Sequence, residues 1–256
     1  MLIQHMKEHQ LHCDIKPNDR VMYYTTTGWM MWNWLASVLA SGATAVLFDG
    51  NPTYPSVSRL FDLAQQEEVS FLGLSAKYID SLRKSGFNPM ETHSLASLRT
   101  IASTGSPLSH DGFEWVYQSV KKDIHLASIS GGTDLCACFV GGDPTKPVYS
   151  GEIQGPMLGM ASDAVHESTY LSLKSSPHTP GELVCRQPFP SMPLGFYNDG
   201  NTGLPNPKII GNKYKAAYFE RISGMWAQGD FASWTDHSGI VIHGRSDTTL
   251  NPGLFN

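Results

Sequence analysis

Small residues, two glycines, a hydroxyl and a carboxylate follow one another in the segment Ser130-Gly-Gly-Thr-Asp134, directly after an apolar run. Glycine has no Cβ, so a backbone of this kind can come close to a ligand. The hydroxyl of Thr133 could donate to a phosphate oxygen, and the carboxylate of Asp134 could hold a metal ion that accompanies the phosphate. These residue types favour a site for a phosphorylated ligand.

Three distant segments carry residues that would complete such a site: Ser103-Thr-Gly-Ser-Pro107, Gly229-Asp230 and Gly244-Arg-Ser-Asp247. The carboxylate of Asp230 could accept hydrogen bonds from both hydroxyls of a ribose, and Arg245 could donate to ribose or phosphate. Taken singly, each segment also fits an ordinary turn, a turn aspartate or a surface ion pair. Taken together, they predict the pieces of one nucleotide site.

Alternating helix and strand patterns in the first half would position these segments. The predicted helices are Met1–Leu11, Trp29–Ala40, Tyr54–Glu67, Ser75–Ser85 and Ser109–Val120, and the predicted strands are Val21–Thr25, Thr44–Phe48, Val69–Leu74, Leu98–Ser103 and Ile124–Ile129. Strands separated by helices of this length predict an α/β fold with a parallel sheet flanked by helices. Ligands bind at the carboxyl ends of such strands, where we place three loops, Thr26–Trp29, Ser103–Pro107 and Ser130–Asp134.

The character of the chain changes near Gly141, where proline and glycine become frequent and the helical pattern fades. The predicted strands of this part are Gly181–Arg186, Met225–Ala227, Phe231–Trp234 and Gly239–His243, and the polar segment Asn198–Lys213 is predicted to be an exposed loop. We therefore predict an α/β subdomain over residues 1–140 with the nucleotide and acyl-pocket loops. A smaller β-rich subdomain follows over residues 141–244, and residues 245–256 form a hinge and a truncated C-terminus.

The composition of the chain argues against several classes of protein. The net charge is −5, and no Lys/Arg cluster exceeds two residues, which argues against a nucleic-acid partner. Residues 1–20 lack the apolar core of a secretory signal. The uncharged run from Gly28 to Phe48 is long enough to span a membrane, but it divides into a helix and a strand, so we predict a buried helix–strand unit.

Histidines and cysteines could bind a metal, but their spacing does not favour it. His5, His9, His12 and Cys13 could share one helix face, which permits a metal site but is more typical of a solvated face. We expect the cysteines to be reduced thiols and Cys136 and Cys138 to pack as small apolar groups. The chain has no GxxxxGK[ST] loop, no HExxH pair and no catalytic triad with a nucleophile elbow.

Several of these segments together resemble the acetoacetyl-CoA synthetase family of adenylate-forming acyl-CoA synthetases. The resemblance covers nearly the whole chain and is carried by Leu2–His9, Tyr24–Trp34, Glu91–Leu95, Ser103–Leu108, Ser128–Asp134, Gly181–Cys185 and Gly244–Pro252. It implies a cytosolic two-step ligase, in which ATP and acetoacetate give acetoacetyl-adenylate and pyrophosphate, and CoA then displaces AMP. The implied cofactors are ATP and Mg²⁺, with CoA as co-substrate.

The resemblance also implies roles for individual residues. Those expected to bind the nucleotide are Gly105, Ser106 and Pro107 along adenine, Ile242 packed on the base, Thr133 at the phosphate, Asp134 linked to Mg²⁺, and Asp230 and Arg245 at the ribose. Those expected to line the acyl pocket are Trp29, Met30, Thr104 and Gly131. Gly131 stands where acetate-specific relatives have a tryptophan, so its small size should admit a longer acid. Asp247 matches the hinge of a C-terminal domain.

This chain departs from the family pattern at both ends. The family's phosphate loop with its lysine is expected before Leu2, and the domain with the catalytic lysine is expected beyond Pro252. We therefore predict no catalytic residue in the chain, expect it to be an internal fragment or truncated form, and expect it to be inactive without the missing domains of the same enzyme. The alternative is a truncated non-catalytic isoform that binds nucleotide or a protein partner. A nucleotide-dependent oxidoreductase is a third hypothesis, but the chain lacks GxGxxG after its first strand.

Overall fold

The computed structural model describes residues 1–199 and 211–246. The described chain forms two compact units, one made of Met1–Met160 with Phe189–Met192 and the other of Ala161–Pro188 with Pro193–Asn256. The boundary after Met160 lies later in the chain than Gly141, where the composition changes. No helix within the described ranges combines the length and the apolar character needed to cross a bilayer.

The first unit contains a parallel sheet. Its helices are α1 (Leu2–Lys7), continued by a π-helical turn (Glu8–His12), α2 (Met30–Ser37), continued by a 3₁₀ turn (Val38–Ser41), α3 (Arg59–Gln66), α4 (Ala76–Lys84), α5 (Pro89–Thr92) and α6 (His110–Trp115), continued by a π-helical turn (Val116–Val120). Its strands are β1 (Arg20–Tyr23), β2 (Thr44–Val46), β3 (Phe71–Ser75), β4 (Thr100–Thr104), β5 (His125–Ser128), β6 (Ser130–Gly132), β7 (Ala137–Gly141) and β8 (Gly155–Pro156). The first five strands form the parallel sheet in the order β2-β1-β3-β4-β5, and β6-β7-β8 form an antiparallel sheet.

Helices cover both faces of the parallel sheet. One face presents Met22 and Leu72 to a core that includes Phe61 of α3, Ile79 of α4 and Phe113 of α6. Neighbouring residues of a strand point to opposite faces of the sheet. Tyr23, next to Met22, and Phe71, next to Leu72, therefore point to the second face. Their rings lie 6.0 Å and 5.4 Å from that of Trp34 of α2. The predicted α/β architecture is therefore confirmed.

The first residues of two helices show where local sequence signals were sufficient to predict the start of a helix and where they were not. The helix predicted from Ser75 begins as expected, because the Ser75 side chain accepts from the Tyr78 amide at 3.1 Å, and Gly86 follows its end at φ +73°. The helix predicted from Tyr54 is wrong over its first turn, since α3 begins only at Arg59. There the Ser56 hydroxyl accepts from the Ser58 amide at 3.2 Å, a local bond that competes with helix formation.

The second unit is built on an antiparallel sheet. Its elements are β9 (Ser162–Val165), β10 (Gly181–Cys185), α7 (Asn212–Tyr218), β11 (Trp226–Trp234) and β12 (Ile240–Arg245), and the strand order is β12-β11-β10-β9. The two strands predicted on either side of Gly229 are one continuous strand, β11. The loop predicted over Asn198–Lys213 lies mostly outside the described residues. The end of the predicted loop segment is helical, since α7 begins at Asn212. The Asp199 carboxylate accepts a hydrogen bond of 2.7 Å from the Tyr214 amide in the first turn of this helix.

Candidate functional site

The loop after β4 carries Gly105, Ser106 and Pro107, all exposed, between the end of the strand and buried Leu108. Gly105 has φ +91°, a backbone conformation that residues with a side chain rarely adopt. A Cβ at this position would lie 3.9 Å from the nearest atoms, so the conformation rather than the available space requires glycine. The exposed loop therefore presents its backbone to solvent.

Trp29 and Met30 lie at the start of α2, in the second predicted loop. Trp29 is the half-buried residue that precedes the helix, and its ring packs against Tyr23 with a centroid distance of 6.2 Å. A Cβ on Gly105 would lie 3.9 Å from the same indole. The structure thus brings the loop after β1 and the loop after β4 together at one edge of the parallel sheet.

Thr104 connects that edge to the third predicted loop. Its hydroxyl donates to the carbonyl of Ile129 at 3.0 Å, directly before Ser130. The segment that follows was predicted to be a loop at the carboxyl end of a strand, but it is the β6–β7 hairpin. Exposed Thr133 and Asp134 lie in its turn, which is closed by a hydrogen bond of 3.0 Å from the Cys136 amide to the Thr133 carbonyl.

Gly131 is paired with Cys138 across the hairpin. A Cβ on Gly131 would collide with the backbone of Ala137 and lie 2.6 Å from the Cα of Cys138. Glycine is therefore required here by the close approach of β7. A tryptophan at this position would displace the hairpin before it could fill an acyl pocket, so this substitution does not test pocket size. The role of Gly131 in acyl selection stays a prediction.

In the second unit, Asp230 and Arg245 face each other on paired strands. Asp230 pairs with Arg245 in the β11–β12 register, and the Arg245 guanidinium lies 3.2 Å from the carboxylate. Arg245 also donates to the Gln228 carbonyl at 3.3 Å. The Asp230 side chain is 10% exposed and that of Arg245 is 45% exposed, so the pair contributes only about 0–1 kcal/mol to stability. Ile242 lies half-buried on the same strand as Arg245 and pairs with Ala232.

Gly229 gives this part of β11 its shape. Gly229 and Asp230 could have formed a turn before a strand, but they lie within β11, where Gly229 has φ +80°. The Gly229 amide donates at 2.9 Å to the carboxylate of fully buried Glu182, and its carbonyl accepts from the Ser246 amide at 2.8 Å. Burial raises the pKa of Glu182, and this rise is opposed by the Ser246 hydroxyl and by Arg221, whose guanidinium lies 3.0 Å away.

The predicted site residues fall into two groups, one in each unit. The first unit holds Trp29, Met30, Thr104, Gly105, Ser106, Pro107, Gly131, Thr133 and Asp134, and the second unit holds Asp230, Ile242 and Arg245. Contact of both groups with one adenosine stays a prediction. The hinge residue Asp247 lies outside the described residues.

Sequence reasoning missed a buried polar cluster beneath the first helix. His5, His9, His12 and Cys13 were predicted to form a solvated face, but each is at most 6% exposed, and the neighbouring Glu8 is fully buried. Their spacing places them on the inner side of the helix, while the apolar Ile3 and Leu11 are exposed. The only signal in the sequence is the paired i,i+4 spacing of Gln4 with Glu8 and His5 with His9.

The histidines of this cluster are engaged in hydrogen bonds to backbone and side-chain groups. His12 Nδ1 donates to the Gly142 carbonyl at 2.7 Å, and its Nε2 accepts from the Leu158 amide at 2.9 Å. These partners fix the neutral Nδ1–H tautomer, and burial lowers the pKa of His12. Within residues 1–199 and 211–246, no group of three or more His, Cys, Asp or Glu side chains could hold a metal ion.

Comparison with known proteins identifies the family. A model of the family described as "AMP-binding enzyme" matches residues 1–197. The chain is 55% identical over 252 residues to an acetoacetyl-coenzyme A synthetase of Rhizobium meliloti (strain 1021), and the match covers 98% of this chain and 37% of that protein. It is 48% identical over 252 residues to the acetoacetyl-CoA synthetase of Gallus gallus, covering 98% of this chain and 36% of that protein.

A solved structure gives the same result. The acetoacetyl-CoA synthetase from Streptomyces lividans superposes with a TM-score of 0.86 at 42% identity, covering 98% of this chain and 37% of that chain. The chain therefore spans about a third of the length of these relatives. With a parallel sheet whose edge collects glycine- and hydroxyl-rich loops, and with a family model matched over most of its length, this chain belongs to the AMP-binding enzyme family.

Proposed function

We propose that this chain contributes nucleotide- and acyl-binding residues to a cytosolic acetoacetate–CoA ligase. The observation that carries the proposal is its 55% identity, over 98% of its length, to a protein named acetoacetyl-coenzyme A synthetase. In the proposed reaction the carboxylate of acetoacetate attacks the α-phosphate of ATP, and pyrophosphate leaves. The thiol sulfur of CoA then attacks the acyl carbonyl, its proton is lost, and AMP leaves.

Adenosine recognition is assigned to individual residues by their chemistry. The exposed backbone at Gly105 suits close contact along adenine, and Ile242 offers an aliphatic surface for the base. The Asp230 carboxylate can only accept hydrogen bonds, which matches the two hydroxyl donors of a ribose. Its ion pair with Arg245 holds the carboxylate in place before the ligand binds.

Phosphate binding is assigned to the turn of the β6–β7 hairpin. The hydroxyl of Thr133 can donate to a phosphate oxygen, and both Thr133 and Asp134 are exposed there. Mg²⁺ is commonly bound by one or two carboxylates together with substrate phosphates and water, so the single carboxylate of Asp134 fits this ion. When bound, Mg²⁺ would neutralise part of the phosphate charge.

Acyl binding is assigned to Trp29, Met30, Thr104 and Gly131, which belong to loops of the first unit. Trp29 would supply an apolar wall next to Gly105. Each methylene group in such a pocket changes discrimination by about 1–3 kcal/mol. Because Gly131 faces β7, we propose that the position of the hairpin backbone, rather than a side chain at residue 131, sets the room for the longer acid.

We propose that the 256 residues by themselves form no acetoacetyl-CoA. Charge develops on the α-phosphate during adenylation, so an oriented cation is needed there. The lysines that the family uses are expected outside this chain, and the guanidinium of Arg245 is already paired with Asp230. We expect the isolated chain to bind adenine nucleotides only weakly.

A chimera tests the proposal. In the chimera, the 252 residues of this chain that align with the R. meliloti protein would replace the matching third of that protein. AMP release that depends on the added acid would be measured with acetoacetate and with acetate. We expect release with acetoacetate to dominate, and we expect it to fall in the chimera that carries D230N. A chimera that unfolds at the same temperature as the parent protein but prefers acetate would contradict the proposed substrate.

A further inference from the structure

The carboxylate of Glu8 is fully buried and connects three elements of the first unit. Its Oε1 atom accepts from the Cys138 amide of β7 at 3.1 Å and from the Gln4 side chain at 3.1 Å. Its Oε2 atom accepts from the Trp34 indole of α2 at 3.1 Å. A single side chain of the first helix thus fixes both α2 and the strand that follows the Thr133–Asp134 turn.

A second contact fixes the other side of that turn. His5 Nε2 donates to the Cys136 carbonyl at 2.5 Å, and its Nδ1 lies 2.8 Å from the Ser37 hydroxyl at the end of α2. Cys136 has φ +50°, a left-handed conformation that is unfavourable for a residue with a side chain. Such a conformation persists where surrounding contacts hold it, and His5 supplies one of them.

We propose that Glu8 is a positioning residue for the phosphate-binding turn, acting with His5 to hold Thr133 and Asp134 in register with α2. The proposal rests on the proposed function, because that function gives the turn its ligand. α2 begins directly after Trp29, so the same carboxylate aligns the loop that contacts Gly105 and the hairpin that carries Thr133. Neither Glu8 nor His5 needs to touch the nucleotide.

The chemistry of the site requires a carboxylate. The neutral donors that face Glu8 come from Gln4, Trp34 and Cys138, and an ionised carboxylate accepts on both oxygens. The Lys7 ammonium also lies 3.7 Å from Oε1, which favours the charged form. Glutamine has the same shape but offers one accepting oxygen and an amide group that donates. In E8Q, the amide group must face either the Trp34 indole N–H or the Cys138 N–H. One of these contacts is then lost, and a buried donor is left without an acceptor.

Amide hydrogen exchange of the whole 256-residue chain tests the positioning. The matched control is H9Q, because His9 lies on the same helix, is also fully buried, and bonds the Trp34 carbonyl at 3.1 Å and the Ser41 hydroxyl at 3.5 Å. We expect either the Cys138 amide or the Trp34 indole N–H to exchange at least about 10-fold faster in E8Q than in H9Q, when both are compared at equal global stability. Equal rates in the two variants for both of these protons would overturn the proposal.

Two further measurements separate positioning from general destabilisation. H5N removes the contact with Cys136 and leaves the carboxylate intact, so it should loosen the same turn even if E8Q fails to fold. The amide resonances of Thr133 and Asp134 are then followed during titration with MgATP and with adenosine, which has no phosphate. We expect shifts with MgATP in the wild type and in H9Q, smaller shifts in E8Q, and none with adenosine.

The outcomes of the titration are distinguishable from those of the exchange experiment. Full MgATP shifts in E8Q would refute the positioning role of Glu8. A wild-type chain whose turn does not respond to MgATP would refute the phosphate role of Thr133 in the proposed function. The exchange rates of E8Q, H9Q and H5N would still decide whether Glu8 and His5 hold the turn.

Discussion

Protonation of His9 should destabilise the first unit as the pH falls. His9 is fully buried, its Nε2 lies 3.1 Å from the Trp34 carbonyl, and its ring packs edge-on against the Trp34 indole with a centroid distance of 4.3 Å. The pKa of His9 is lowered from 6.5 to about 3, mainly by burial and secondly by the charge of nearby His5. The bond to the Trp34 carbonyl opposes the shift.

The size of the effect follows from the two pKa values. Unfolded chains bind a proton at His9 near pH 6.5, whereas the folded chain binds it near pH 3. Between these values the unfolded state holds more protons, so stability is complete above pH 6.5 and is lost as the pH falls toward 3. Because each pKa unit corresponds to about 1.4 kcal/mol, the loss attributable to His9 between pH 7 and pH 5 is about 2 kcal/mol.

Urea unfolding at pH 7, 6 and 5 measures this loss in the wild type and in H9Q. We expect the pH dependence to be smaller in H9Q by about 2 kcal/mol over that range. Burial also lowers the pKa values of His12 and His125, so part of the wild-type dependence should remain. The control is H110Q, which removes an exposed histidine. Identical pH dependence in H9Q and the wild type would refute the reasoning.

Three further predictions concern the candidate site and the isolated chain. G131A should lower the free energy of unfolding by about 1–3 kcal/mol, because its Cβ meets the backbone of Ala137 and Cys138. In G28A the Cβ comes no closer than 3.9 Å to the Thr26 hydroxyl, an ordinary contact, so this variant should be nearly neutral in the same urea assay. D230N should weaken AMP binding measured by calorimetry but leave binding of 2′,3′-dideoxy-AMP unchanged, and equal losses would contradict ribose recognition. The purified 256-residue chain should form no acetoacetyl-CoA in a coupled assay, and turnover would contradict its dependence on further domains.

Local patterns were sufficient to predict the regular α/β part of the fold. The helix after Ser75 was predicted because a capping hydroxyl and a following glycine act within one or two turns of the backbone. The parallel strands were predicted because short apolar runs separated by helices have few other arrangements. The loops at Gly105 and Trp29 follow directly from that order of elements, since loops at the carboxyl ends of parallel strands share one edge.

Distant contacts determined what the sequence did not predict. Gly229 looked like a turn residue because the Glu182 carboxylate, which accepts from its amide, lies 47 residues away. The segment Ser130–Gly132 looked like a loop because three small residues have weak strand propensity, and pairing with Ala137–Gly141 makes it a strand. The resemblance predicted that Gly131 makes room for a longer acid where acetate-specific relatives have a tryptophan, but only the backbone of β7 shows why glycine is needed.

The sequence by itself determined the family and the parallel sheet, because these depend on residue type and local order. The residues that it suggests for nucleotide binding stay a prediction. The tertiary structure alone decided that Glu8 and His9 are buried. Their partners at Cys138 and Trp34 are 130 and 25 residues away, and a charged or polar helix face is buried only where distant donors and acceptors satisfy it. Whether a buried polar side chain finds hydrogen-bond partners depends on the packing of the whole chain, and no local sequence pattern encodes it.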